Sequence, residues 1–217
     1  MKNILFISLA LLLSSATIFA QEGKMVGGTF WNPAKQKNKP IGSPYLQSMF
    51  APAMIDNIKV HTNARYNVFK DEFEFISKKG DTLVLDKNED FASITFNNNK
   101  KYRLTVYTNR ENSLNNGYLV ELYTKSDFTL YKKENINLIE GKIAKTTFEK
   151  DMPARYSKAE DGYFLKMPNG NTTEFPDSKK ALIKMFPDKK QVFETYFKAN
   201  KIDFGNEGDL IKIIGLL

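Results

Sequence analysis

The chain has 217 residues, with 32 Lys and Arg against 25 Asp and Glu, a single His and no Cys. The missing thiol excludes disulfides, a lipoprotein anchor, zinc-thiolate sites and cysteine nucleophiles in one step. The formal charge of +7 is almost all Lys scattered among acids, with only Arg65, Arg103, Arg110 and Arg155 as arginines, which describes a solvated surface and not a nucleic-acid reader.

Residues 1–20 read as a secretory signal peptide. Lys2 supplies the positive start, ILFISLALLL the apolar core, and SSATIFA leads to a cut after Ala20. The apolar run is too short for a durable membrane span. The expected mature chain therefore starts near Gln21 and forms one domain of about 197 residues with no integral span. Residues 21–54 follow as an irregular leader arm rich in Gly, Pro, Asn and Lys, in which Phe30 and Trp31 would pin the arm to the body.

Residues 55–175 read as an antiparallel β-meander. FEFIS and TLVLD flank KKGD, with Gly80 suited to positive φ. ASITF and KYRLTVYT flank NNNK, YLVELYT and FTLYKKE flank KSD, and YFLKM and TTEF flank PNGN, where Asn169-Gly170 is the strongest short hairpin signal. One stretch breaks the alternation. In ARYNVFKDEFEF, residues 64–75, the apolar residues first fall on even numbers, Tyr66 and Val68, and then on odd ones, Phe69, Phe73 and Phe75. A strand keeps one face with period two, so the face changes near Lys70-Asp71, at a bulge or a tight connection.

From residue 176 to 217 the period becomes helical. Ala181, Leu182, Met185 and Phe186 share one face, as do Val192, Phe193, Tyr196 and Phe197, and then Leu210, Ile211, Ile214 and Leu217. Ser178 and Asp188 are the expected N-caps, Asp188 with Gln191 as a capping box. The expected fold class is α+β: a meander forming a curled sheet, sandwich or partial barrel, followed by a short-helix tail packed on the same domain. The face that the tail is expected to cover is the one bearing Phe69, Phe73 and Phe75.

The chemistry is mostly exclusion. His61, the only His, sits in NIKVHTN with no paired motif, and HExxH, GxSxG and a P-loop are all missing. DKNED starts like a calcium loop with Asp86, Asn88 and Asp90, but Phe91 stands where Gly is needed and Asn97 where a bidentate Glu is needed. Asp71, Glu72 and Glu74 are the remaining carboxylate group, with Glu72 and Glu74 on one strand face about 7 Å apart. A solvated face gives the same pattern. No catalytic, cofactor-binding or metal-binding residue is assigned, and the protein is expected not to be an enzyme.

The stretches GSPYLQSMF, RYNVFKDEFEF, GYLVELYTKSDFTLY, DGYFLKM and KKALIKMFPDKKQVFETYFKANKI, in that order, resemble a group of small secreted proteins of the Bacteroidetes with no assigned activity. The resemblance implies a Gram-negative envelope location, periplasmic or on the periplasmic side of the outer membrane, and transfers no catalytic residue. The expectation is an exported, non-enzymatic interaction or structural accessory with an envelope protein as partner, through the leader or an unpaired sheet edge. The alternative is a binding protein for an apolar or peptide ligand inside a curled sheet, which an unfilled apolar interior would favour.

Overall fold

The structure, a computed structural model, describes residues 39–146 and 148–217. The expected signal peptide and residues 21–38 of the expected leader lie outside the described residues. The strands are β1 (Ala51–Ile55), β2 (Val60–Asn67), β3 (Glu72–Ile76), β4 (Thr82–Val84), β5 (Ser93–Phe96), β6 (Lys101–Thr108), β7 (Leu114–Lys125), β8 (Phe128–Lys133), β9 (Ile136–Ile139), β10 (Arg155–Lys158), β11 (Gly162–Lys166) and β12 (Thr172–Glu174). Helices α1 (Lys179–Met185), α2 (Lys190–Ala199) and α3 (Glu207–Ile214) end the chain. The fold is α+β and mostly β. Among the described residues no helix is long and apolar enough to cross a membrane.

Most strands are joined by tight hairpins, and each turn contains a residue at positive φ: Lys59, Asp71, Asn99, Asn112, Ser126, and the expected Gly80 and Gly170. The hairpin of β2 and β3 explains the parity change in ARYNVFKDEFEF. Ala64 lies opposite Phe75, Tyr66 opposite Phe73, and Asn67 opposite Glu72, so every even residue faces an odd one. Directly opposed residues share a face. Tyr66 and Phe73 thus lie on the same side, with rings 4.8 Å apart. The stretch is two strands on one face, not one strand that changes face.

Ten strands form a single sheet in the order β12-β11-β8-β7-β6-β5-β1-β2-β3-β4, and β9 pairs only with β10. β12 also meets β6 in parallel, Thr173 opposite Thr108. Five consecutive up-and-down strands leave the first and last running the same way, so this contact closes β6, β7, β8, β11 and β12 into a five-strand barrel. The other half, β5-β1-β2-β3-β4, stays open and curls over the barrel's outer wall.

Alternation along β7 and β8 divides the core. Leu119 and Tyr131 point into the barrel, which they fill with Phe164, and Tyr107 stacks edge-on against Phe164 at 4.5 Å. Tyr118 and Val120 point the other way, into an aromatic core with Tyr66, Phe73 and Tyr102 beneath the open half. Leu130 faces a third core under the tail. That core holds Leu165, Phe175, Leu182, Phe193, Leu210 and Ile213, most of them fully buried. Helices this short are marginal alone, and the burial of a side chain such as Phe193 contributes about 1.5 to 3 kcal/mol toward keeping them.

Four expectations are corrected. The leader was to run to residue 54, but β1 begins at Ala51 and sits inside the sheet between β5 and β2. A five-residue run of small and apolar side chains, APAMI, suffices once both neighbours supply ladder bonds. The tail covers the barrel wall and not Phe69, Phe73 and Phe75, because Phe73 is buried beneath the open half, while Phe69 stays 41% exposed with its ring edge-on to Tyr156. Ser178 caps α1 by accepting from the Ala181 N–H, but Asp188 lies inside a 3-10 turn ahead of α2 and caps nothing. The expected α3 stripe shifts too: Leu210, Ile213 and Ile214 are buried, and Ile211 and Leu217 only partly.

Candidate functional site

The residues singled out in the sequence do not converge. DKNED forms a 3-10 turn whose Asn88 side chain accepts from the Asp90 N–H at 3.0 Å, an ordinary local cap. His61 is an exposed residue of β2 opposite Met54. Glu74 is tied to the strap that enters the sheet: Arg65 Nη2 lies 2.6 Å from its Oε2, and the Tyr45 hydroxyl donates to its Oε1 at 2.7 Å. The Arg65 guanidinium stacks between the rings of Tyr45 and Phe50, at 4.2 and 4.4 Å. Burial alone would raise the Glu74 pKa, but the bonds from Tyr45, Arg65 and Asn67 and the Arg65 charge hold it below the usual value. Glu72, two residues away on the same face of β3, makes no side-chain hydrogen bond or ion pair among the described residues, while Glu74 is spent on Arg65 and Tyr45.

Asp71 goes elsewhere. Its backbone is at φ 58, a conformation that Asp tolerates in a turn, and this places its carboxylate at one end of the barrel. Lys133 Nζ lies 2.6 Å from Oδ1 and Lys87 Nζ 2.7 Å from Oδ2, the Tyr118 N–H donates to Oδ1 at 3.1 Å, and the Tyr66 hydroxyl donates to the same oxygen. Gly117, on β7, has no side chain where one would overlap Asp71 Oδ2. Burial lowers the Lys133 pKa, against the pull of Asp71, and burial with the Asp71 charge raises the pKa of Tyr66 and pushes that of Tyr118 up to about 12. Both oxygens of this carboxylate are held. The cluster is a plug in the barrel end, held by groups from β2, β7, β8 and the segment after β4.

The open half presents different chemistry. β4 is the last strand of the sheet, and Thr82, Leu83 and Val84 are all exposed. The Leu85 N–H bonds to the Phe73 carbonyl and the Ser77 N–H to the Asp81 carbonyl, each at 2.9 Å. Antiparallel ladders alternate, so Leu83 bonds toward β3 while Thr82 and Val84 direct their N–H and C=O outward, with no strand beside them among the described residues. Next to this edge lies a groove of about 450 Å³, lined chiefly by Ile55, Ile58, Val60, Phe75, Leu85 and Phe91. Ile58 and Val60 are 41% and 44% exposed. His61 lies at its margin.

Among the described residues no three His, Asp or Glu side chains converge as metal ligands. The sequence reading missed Lys133, Lys87 and Tyr66 as partners of Asp71. The signal was the isolated Gly117 in NNGYLVELY, since a glycine inside a strand pattern marks a close approach of something else. The β4 groove had a weaker trace: Ile58 and Val60 flank a turn, where large apolar residues have no local reason to be. No protein-family model matches the chain, and no curated protein and no solved structure matches it at a significant level.

Proposed function

We propose that the protein is an exported, non-enzymatic interaction module of the cell envelope that captures an extended, apolar segment of a partner protein along β4. The observation that carries this reading is the free edge at Thr82 and Val84 set beside an apolar groove. An added strand would take its main-chain bonds from the edge and set alternate side chains into the groove, the chemistry of strand addition. The groove merges both expectations for the chain, a protein partner and a peptide held in a curled sheet. An apolar ligand inside the closed barrel has less support, because Leu119, Tyr131 and Phe164 fill that space. The non-enzymatic part is supported by the way the candidate carboxylates Asp71 and Glu74 are each spent on fixed internal partners. Export and envelope location rest on the signal segment and on the resemblance to secreted Bacteroidetes proteins.

The test is affinity purification of the tagged chain from envelope fractions, run beside a Val84→Pro variant. Proline at 84 removes an outward N–H without touching the bonds to β3, a position where edge strands accept it. The reading expects a discrete co-purifying protein that Val84→Pro loses. Recovery of the same protein in equal yield with Val84→Pro would place the contact elsewhere.

A further inference from the structure

The barrel has a second end, which no described residue plugs. Opposite the Asp71 plug the interior opens into a cup of about 630 Å³, within the size range of small-molecule sites. All five barrel strands contribute to it: Arg103 from β6, Glu121 from β7, Thr129 and Tyr131 from β8, Lys166 from β11 and Thr172 from β12. Its floor is the packed layer of Leu119, Tyr131 and Phe164. The groups have fixed positions, since Thr129, Tyr131 and Thr172 are 8%, 6% and 5% exposed. Thr172 lines the cup, and among the described residues no buried polar side-chain atom lacks a partner.

The charges are arranged unlike those of the plug. Arg103 Nε bonds Glu121 Oε2 at 2.9 Å, which leaves the Nη groups of Arg103 as donors and one Glu121 oxygen as an acceptor. Lys166 stands exposed at the rim, and it makes no ion pair among the described residues. The Thr124 hydroxyl donates to that of Thr129 at 3.2 Å, which presents a row of hydroxyls beside the ion pair. The cup thus offers two cationic groups against one carboxylate, with hydroxyls that both donate and accept.

We infer that the open end of the barrel is a binding site for a small polyhydroxylated carboxylate, a sugar acid in chemical class. Lys166 and the Arg103 Nη groups take the carboxylate, and Glu121, Thr129 and Thr172 take the hydroxyls. An uncharged sugar would leave Lys166 unused. An apolar molecule would desolvate the Arg103–Glu121 pair with nothing to replace water. The site is independent of the β4 edge.

The experiment is an NMR titration of the full chain with glucuronate, with glucose and acetate as comparators. Saturable shifts are expected at Arg103, Lys166 and Thr172 with glucuronate, and much weaker ones with either comparator. Lys166→Gln, a surface change that leaves the fold alone, should weaken binding about tenfold or more, as expected for a lost charge-assisted bond. Thr172→Val, of the same shape, should weaken it by a smaller factor. No saturable shift up to about 50 mM, shifts that map away from the cup, equal binding of glucose, or indifference to Lys166→Gln would each overturn the assignment.

Discussion

In the closed half of the sheet, the parallel contact of β12 with β6 pairs the last strand and an apolar layer of Leu119, Tyr131 and Phe164 fills the middle of the barrel below a polar cup, whereas in the open half β4 keeps an edge that no described strand pairs, beside an unfilled apolar groove. Both halves come from the same meander with similar turns. The difference is where each hydrophobic face is spent. The apolar faces of the barrel wall are covered on the outside by three helices and on the inside by its own side chains, so what stays open at the barrel end is polar. The inner face of the open half is buried against β6 and β7 only as far as Phe73 and Tyr66, and toward β4 it runs out of cover. A protein with no reason to keep such an edge blunts it with charge, proline or a covering loop. Thr-Leu-Val at β4 carries neither charge nor proline and is limited only by its three-residue length.

The largest effect should come from stripping cover off the closed half. Phe193 is fully buried between α1, α2 and the barrel wall, so Phe193→Ala should cost about 3 to 5 kcal/mol, a large share of a typical total of about 5 to 15 kcal/mol. Removal of everything after Phe175 should leave Leu130 and Leu165 uncovered and abolish cooperative unfolding. Denaturant titration read by circular dichroism checks both. A truncated chain that stays monomeric and melts as sharply as the whole would show that the tail is a separate appendage.

Next in size is the plug. Lys133→Met leaves the half-buried Asp71 with one of its two cations, and loss of such a charge-assisted contact costs about 1.5 to 3 kcal/mol. Lys133→Met with Asp71→Asn together should recover most of the loss, which a double-mutant cycle measures. Gly117→Ala should expel the Asp71 carboxylate and cost about 1 to 3 kcal/mol. If all three variants melt like the native chain, the barrel end is closed by packing alone.

How much of this was legible beforehand depends on the range of the interactions. The hairpins KKGD, NNNK, KSD and PNGN and the three helical stripes were readable, because local alternation and turn residues encode them. In ARYNVFKDEFEF the break at Lys70-Asp71 was readable, as a bulge or a tight connection, but the change of face was not, because odd-to-even pairing is what a hairpin of this turn length produces. The turn itself carries no glycine, and Asp71 takes the positive φ. Barrel closure was not legible, since Thr173 and Thr108 meet across a long stretch of chain and neither residue signals it. The candidate edge was named only as a possibility of the meander, because a sequence shows strands and not which one ends the sheet.

Smaller still is the response to alkali. Burial first, and nearby carboxylates second, raise the pKa of Tyr66 and Tyr102 above the usual 10.0, and Tyr118 titrates at about 12. These groups hold their protons more tightly folded than unfolded. Their contribution is therefore fully present below about pH 10 and is lost as pH rises above it. Lys133 works the other way, since burial lowers its pKa and its cost fades as pH rises toward 10.5. Tyr45, Tyr107, Tyr131 and Tyr163 are raised as well, so with seven tyrosines against Lys133 the melting temperature should fall between about pH 10 and pH 12. A melting temperature that holds steady or climbs there would mean that the tyrosine hydroxyls ionise freely.

The smallest stability effect belongs to the open edge, and it is also where the functional claim stands or falls. Val84→Pro should change stability by no more than about 0.5 kcal/mol, as surface changes do. The direct measurement places a photo-crosslinking amino acid at position 84, and in a second protein at Val192, which is 45% exposed on α2 far along the chain from β4. Both are expressed in the source cells and irradiated. The account predicts a discrete adduct from position 84 that is absent from position 192 and is lost when Val60 in the groove is replaced by Asp. Equal labelling from both positions, or an adduct from 192 alone, would contradict it.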